Sequence, residues 1–298
     1  MKRKRLLIVG CGDIALRAVE LLGDRYRLYG LTRDTGQSGK LRALGITPII
    51  GDLDDRKSLV RLAGVADWVL HTAPPPPQGR QDTRTAALLN ALSKGRMVPQ
   101  RLTYISTSGV YGDCAGEWVG ETRTPRPQSE RAVRRRDAEQ RLRRWGRRRR
   151  VSVSLLRAPG IYAADRLPLE RLKKSLPVLC AGEDSYSNHI HADDLARIAL
   201  LAFSRGGWGR SYNAADNSAL AMGDYFDLVA DHLGLPRPPR VSRQQAEKLL
   251  PATMLSFIAE SRRLVNHRVL KEFRISLRYP TVASALESTA SGKAFGAA

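Results

Sequence analysis

The sequence predicts an α/β fold, a doubly wound parallel sheet that carries a smaller C-terminal lobe. Three observations predict it. Short apolar runs alternate with helix-like patterns through the first half of the chain, the order that buries a parallel sheet on both faces. The first run ends in a glycine turn, Gly10-Cys11-Gly12-Asp13-Ile14-Ala15. Gly10, Arg33, Asp52, Ala73 and Thr107 each fall at the end of a run, and ligands of open parallel sheets bind at that edge.

The elements follow in order. Residues 6–9 read as a strand, and the turn behind it has the G-x-G-x-x-A form of a Rossmann-type dinucleotide-binding unit. Glycine lets the backbone bend sharply and approach a pyrophosphate with no Cβ in the way. The amides of Asp13 and Ile14, at the head of a helix over 15–22, then face the anion. Strands follow at 27–32, 47–50, 67–72 and 101–106, with helices at 39–44, 57–63 and 80–93. A Gly- and Pro-rich loop over 112–127 leads to a long helix, 129–145, and a strand, 151–156. Beyond Pro159 the pattern loosens, with helical stretches at 192–203, 222–233 and 243–265. This organisation divides the chain into a dinucleotide-binding domain, 1–160 continued by 188–215, and a substrate lobe, 161–187 with 216–298. Residues from 284 onward are small and polar, and their end is expected to be loose.

Bulk properties exclude several classes. With 298 residues and 42% hydrophobic content, a packed core is expected and wholesale disorder is not. No apolar run approaches the roughly 20 residues that span a bilayer, so no membrane partner is expected. The basic start, Met1 to Arg5, precedes an apolar stretch that stops at Gly10. That is short for a signal peptide, and the location expected is cytoplasmic. Cys11, Cys114 and Cys180 show no paired spacing, so neither a disulfide framework nor a thiolate metal site is expected. His189 and His191 form the one close histidine pair, and no metal is assigned to it. Asp193 or Asp194 reads as the cap of the helix that follows.

Fifty Lys and Arg against 29 Asp and Glu give a formal charge of +21. Arginines cluster at 134–136, 143–144 and 147–150. No nucleic-acid motif accompanies them, and aromatics make up 6%, so no stacking platform and no sequence-specific nucleic-acid binding are expected. The clusters read as a solvated basic face, with salt-sensitive attraction to polyanions.

Cofactor choice rests on the end of the second strand. Arg33 stands where a guanidinium meets a ribose 2′-phosphate, and Asp34 where an acid holds a 2′-hydroxyl. Because Arg33 comes first, NADP is favoured and NAD is the alternative.

Further segments give the chain a family likeness. They are Gly51-Asp52-Leu53, His71-Thr72-Ala73, and Tyr104-Ile105-Ser106-Thr107-Ser108-Gly109-Val110-Tyr111-Gly112. Two more are Leu156-Arg157-Ala158-Pro159-Gly160-Ile161-Tyr162 and Asn188-His189-Ile190-His191-Ala192-Asp193-Asp194-Leu195-Ala196. With these, nearly the whole chain resembles the extended and atypical short-chain dehydrogenase/reductase family, of the nucleoside-diphosphate-sugar epimerase/dehydratase type. The resemblance implies a Rossmann domain, a small substrate lobe and a bound nicotinamide dinucleotide. It implies that Asp52 and Leu53 flank the adenine, and that Thr72, Ala73 and Pro74 pass close to the cofactor. It also places Thr107 at the family's catalytic Ser/Thr position, with Tyr111 nearby.

One departure matters most. The family's Tyr-x-x-x-Lys pair is missing from residues 129–145, and its positions fall on Arg131 and Arg135. Arg131, Arg135, Ala138 and Leu142 share one helix stripe, so the two arginines are expected to face the cleft. Arg134, Arg136, Arg141, Arg143 and Arg144 are expected at the surface. Arginine stays protonated near neutrality and cannot act as a general acid or base. It can hold a phosphate or carboxylate through two parallel bonds. Thr107 can orient a carbonyl. Ser106 and Ser108 alternate with it along the strand, so one set at most should face the cleft. Two readings stay open. One is an NAD(P)-dependent epimerase, dehydratase or reductase acting on a sugar nucleotide or another small anion. The other is a non-catalytic NAD(P)-binding sensor or interaction protein. A homodimer is left open for both.

Overall fold

The strand β1 (Lys4–Val9) shows how the sheet is buried. Its side chains alternate, so Leu6 and Ile8 enter one core while Leu7 and Val9 enter the other. In this computed structural model, which describes residues 3–290, six more strands join it. They are β2 (Tyr26–Thr32), β3 (Ile46–Ile50), β4 (Trp68–His71), β5 (Arg101–Thr107), β6 (Ser152–Ala158) and β7 (Ser211–Asn213). All neighbours are parallel, in the order β7-β6-β5-β4-β1-β2-β3. The order reverses between β1 and β4, and a crevice opens at such a switch point.

Helices cover both faces. On one side lie α1 (Asp13–Glu20) and α2 (Ser38–Ala43). On the other lie α3 (Thr83–Leu92) and α4 (Glu130–Arg149), whose Ala138, Leu142 and Trp145 pack on β5 and β6. A later helix, α5 (Ala192–Arg205), returns to the α1 side and packs against α1. A separate apolar cluster holds the lobe together. Its centre is Phe226 and Val229 of α6 (Met222–Leu233).

Several expectations are corrected. The helix expected over 57–63 is a 3-10 turn, Ser58–Leu62. The long helix expected over 243–265 is two short ones, α7 (Arg243–Leu249) and α8 (Ala252–Ile258), followed by an extended pair, Arg263–Leu264. Pro251 causes the break, since it has no N–H to donate and its ring clashes with the preceding turn. The short helix α9 (His267–Phe273) packs on the sheet through Val269 and Phe273. Residues 282–290 form α10 (Val282–Ala290), anchored by Val282, Ala285 and Leu286. Residues 291–298 of the stretch expected to be loose lie outside the described residues. Two of the arginines expected at the surface are tied inward. Arg134 is buried and donates to the Gly79 carbonyl at 2.6 Å, and Arg143 donates to the Gly209 carbonyl at 3.1 Å.

The joint between sheet and lobe is polar and buried. The strand segments Gly160–Tyr162 and His189–His191 pair in parallel there. Asp216, 3% exposed, donates its N–H to the His189 carbonyl at 2.8 Å and accepts from the Ser218 amide at 2.8 Å. Its carboxyl group lies near the Tyr162 hydroxyl, and among the described residues His189 Nδ1 has no hydrogen-bond partner. Burial pushes the Asp216 carboxyl up to about 7 and His189 down to about 3. A carboxyl raised on folding contributes stability that is full below the unfolded value, about 4, and lost as pH rises through its folded value. Asp216→Asn should therefore flatten the decline between pH 4 and 7 and stabilise the protein at pH 8, by on the order of 2 kcal/mol. Urea titrations at several pH values check this.

Among the described residues, no helix is long and apolar enough to cross a membrane.

Candidate active site

Two cavities lie along the carboxyl edge of the sheet. The first, about 500 Å³, opens beyond the ends of β1 to β4. Gly10, Cys11, Gly12, Arg33, Asp52, Leu53, Thr72, Ala73 and Pro74 all line it. Asp13 and Ile14 do not line it with their side chains. The Asp13 carboxylate is held by Arg17 at 2.9 Å and Arg166 at 2.6 Å, and Ile14 is in the core.

The two glycines answer to different neighbours. Gly10 has φ +94°, and a Cβ there would stand 2.5 Å from the Ala73 nitrogen. The Thr72 hydroxyl donates to the Gly10 carbonyl and tightens the same contact. Gly12 is otherwise. Its φ is −91°, and a Cβ there would meet nothing within 4 Å. Protein packing does not require glycine at 12, whereas a diphosphate seated against the head of α1 does. Gly12 is also the N-cap of α1 with no side-chain cap, so the first amides of the helix are left for an anion. These features fit a dinucleotide. Cys11 fills space here. Burial pushes its thiol up to about 11, which leaves little thiolate for redox chemistry.

At the far end of this cavity Arg33 is exposed. The Asp34 carboxylate accepts from the Gly36 amide at 2.8 Å and caps the turn Thr35–Gln37. Sequence reasoning missed Arg84. It lines the cavity and binds both Asp54 oxygens, at 2.9 and 2.6 Å, joining α3 to the loop after β3. No spacing rule marks it, because the pairing depends on where α3 docks.

The second cavity, about 350 Å³, lies beyond β5 and β6. Thr107, Arg131 and Arg135 line it together. Thr107 accepts from the Gly109 amide at 3.2 Å. Arg135 donates to the Ile105 carbonyl at 2.8 Å and the Tyr104 hydroxyl at 2.9 Å. The Arg131 guanidinium lies 4.5 Å over the Phe257 ring. Ser106 and Ser108 both border the cavity, because β5 ends at Thr107 and the chain turns at once. Ser106 is committed to Glu139, to which it donates at 2.7 Å.

Tyr111 is not brought there. It is 1% exposed, donates to Asn213 Oδ1 at 2.7 Å, and lies under the Arg157 guanidinium. Tyr186, Glu260 and Arg262 come from the lobe and no motif announced them, whereas Asn188 opens the segment 188–196. Tyr186, Asn188, Glu260 and Arg262 close the cavity, and Glu260 pairs with Arg262 at 2.8 Å. His189 and His191 are buried and face the joint. The cap of α5 is His191, which accepts from the Asp193 amide at 3.2 Å, and neither aspartate fills that place. Asp194 instead takes the Arg278 and Tyr279 amides, each at 2.9 Å. Among the described residues, no group of three or more His, Cys, Asp or Glu could hold a metal ion.

Comparison with known proteins agrees with this fold. The family model described as NAD dependent epimerase/dehydratase family matches residues 12–215. Among solved structures, a functionally unknown conserved protein from Silicibacter pomeroyi is 27% identical, with a TM-score of 0.79 over 97% of this chain and 99% of its own. UDP-glucuronic acid 4-epimerase from Bacillus cereus, solved in complex with NAD, is 18% identical, with a TM-score of 0.74 over 95% and 96%. UDP-glucose 4-epimerase from Thermotoga maritima, solved with UDP-glucose, is 17% identical, with a TM-score of 0.76 over 96% and 97%. No curated protein matches the chain. The glycine turn, the crevice above it and the matched span together show that the chain belongs to the NAD dependent epimerase/dehydratase family.

Proposed function

We propose that the protein is an NADP-dependent enzyme of the epimerase, dehydratase or reductase type, acting on a sugar nucleotide or another small anion. The observation that carries the reading is one cavity lined by Thr107, Arg131 and Arg135, on the same sheet edge as the open Gly12 turn. When bound, the nicotinamide ring supplies hydride transfer.

The residues divide the remaining work. Arg131, Arg135 and Arg262 set three guanidiniums around the second cavity against one carboxylate, Glu260, and this balance selects an anion. Thr107 orients a carbonyl or hydroxyl through its side-chain oxygen. The arginines hold developing negative charge on a substrate oxygen without moving a proton. Among the described residues, Tyr186 is the one phenol bordering this cavity, and proton exchange falls to it or to water.

Arg33 sets the cofactor preference, because Asp34 is occupied with its cap. Arg33→Ala should weaken NADPH binding about tenfold or more, the worth of a charge-assisted hydrogen bond, and leave NADH within twofold. Fluorescence titration reads both. For the function itself, the protein with NADP+ or NAD+ is incubated with UDP-glucose, UDP-glucuronic acid and dTDP-glucose. Reduced cofactor at 340 nm, or an isomerised product on chromatography, is the expected result. Absence of nucleotide binding, or an inert cofactor with every anion tried, would end the proposal.

A further inference from the structure

The amino edge of the sheet, opposite the two cavities, carries a concentration of positive charge that the reading above does not use. Because all seven strands are parallel, everything that precedes a strand gathers there. Arg27 is the second residue of β2, Lys94 and Arg96 precede β5, and the run 147–150 precedes β6. These residues are exposed. Among the described residues, none of them has an acid within ion-pair distance. The acids at this edge are Asp67, taken by Arg5 at 2.8 Å, Glu272, taken by Arg210 at 2.8 Å, and the exposed Glu20 and Asp24. From β2 to β6 the row crosses four strand spacings, about 19 Å.

Two details mark this edge as more than solvated charge. Arg150 closes α4 in the left-handed conformation, φ +56° and ψ 40°, where glycine is the usual residue. The chain spends that position on a fourth consecutive arginine. Secondly, Trp208 stands on the loop between α5 and β7 and is 55% exposed. The next carbonyl, that of Gly209, accepts from Arg143 of α4, which brings the loop against the half of α4 that bears the arginine run. Arg147 follows Arg143 by one helical turn on the same face, while Arg148 and Arg149 line the groove between α3 and α4, so the exposed indole offers a stacking platform at one end of a phosphate track. Arginine forks suit phosphate oxygens.

We propose that this edge docks single-stranded nucleic acid, with phosphates over the arginines and one base stacked on Trp208, without sequence preference. A duplex keeps its bases stacked inside and leaves Trp208 unused. A protein interface is the poorer fit, since the large apolar side chains exposed at this edge, Leu21, Leu44, Met97 and Trp208, stand on four separate segments among the basic residues.

The test is fluorescence anisotropy of labelled dT20 with the full-length protein between 50 and 300 mM NaCl. Three variants are compared. R147E/R148E/R149E removes the track, W208A removes the platform, and K173E/K174E/K248E makes the same charge change on exposed lysines of the lobe. NADPH binding and thermal melting confirm that each is folded. The arginine variant should bind at least tenfold more weakly and lower the log–log salt slope by about two, at roughly 0.7 per phosphate contact. W208A should lose at least fivefold with the slope unchanged, and the lysine control should stay within twofold. Equal loss in the lysine control would reduce the effect to bulk charge and overturn the inference. So would wild-type affinity in W208A, or displacement of dT20 by polyglutamate or phosphatidylserine vesicles at lower concentration than by unlabelled dT20.

Discussion

Gly12→Val is expected to abolish dinucleotide binding while leaving the fold intact. The side chain would enter space that meets no protein atom within 4 Å, at a φ of −91° that valine can adopt. The cost to the fold is the loss of a tolerated N-cap residue, about 1 kcal/mol, or a few degrees of melting temperature for a chain this long. The cost to the ligand is far larger, because the branched carbon would occupy the place of the diphosphate. NADPH affinity should fall at least a hundredfold. Gly10→Ala should behave in the opposite way. Its methyl would overlap the Ala73 backbone at 2.5 Å, with φ at +94°, at a cost of about 3 kcal/mol. Melting curves and NADPH titrations of the two variants should therefore separate a glycine kept for the ligand from one kept for the fold. Normal NADPH affinity in folded Gly12→Val would remove the diphosphate from this turn.

The largest stability effect is expected at Glu139. Its carboxylate is 3% exposed and takes Arg157, itself 2% exposed, through two bonds of 3.1 and 2.7 Å, with Ser106 as a third donor. Glu139→Gln keeps the shape but leaves a buried guanidinium with no counter-charge. That should cost about 3–5 kcal/mol, read from the urea midpoint. Glu139→Leu combined with Arg157→Met should recover most of the loss, because the desolvation of both charges disappears together. If the double variant were no more stable than the single one, the pair would be worth more than its burial costs. The pair also bears on chemistry. It lies beneath Ser106, one residue before Thr107, and sets where the end of β5 stands.

The parts legible in sequence were those set by short-range pattern. The short apolar run ending at Gly10 and the period-3.6 stripe of α1 and α4 depend on neighbours along the chain, and they place the first cavity and two of the cavity arginines. What escaped depends on distant contacts or on a local turn. Tyr111 was expected near Thr107 by spacing, but the 3-10 turn Ser108–Tyr111 carries its ring inward to Asn213, 102 residues away. Arg143 projects away from the Ala138 stripe yet finds a backbone carbonyl on a loop that a projection omits, whereas Arg134, four residues before Ala138, lies on the buried stripe, and the basic run around it misled. Arg84, Tyr186, Glu260 and Arg262 reach their cavities only after α3 and the lobe have docked. The break at Pro251 was readable from the proline itself, and there the apolar pattern on either side misled.

Arg17 of α1 bears on how the protein is made. It grips Asp13 at 2.9 Å, Asp165 at 2.7 Å and Asp193 at 2.8 Å, so the helix behind the glycine turn is braced by residues that the ribosome adds much later. α5 must also be in place to cover that side of the sheet. A nascent chain halted at residue 160 would leave apolar strands bare, a state prone to aggregation. Productive closure during translation should therefore wait until roughly residue 213 has cleared the exit tunnel, and a chaperone would be needed earliest for the N-terminal half.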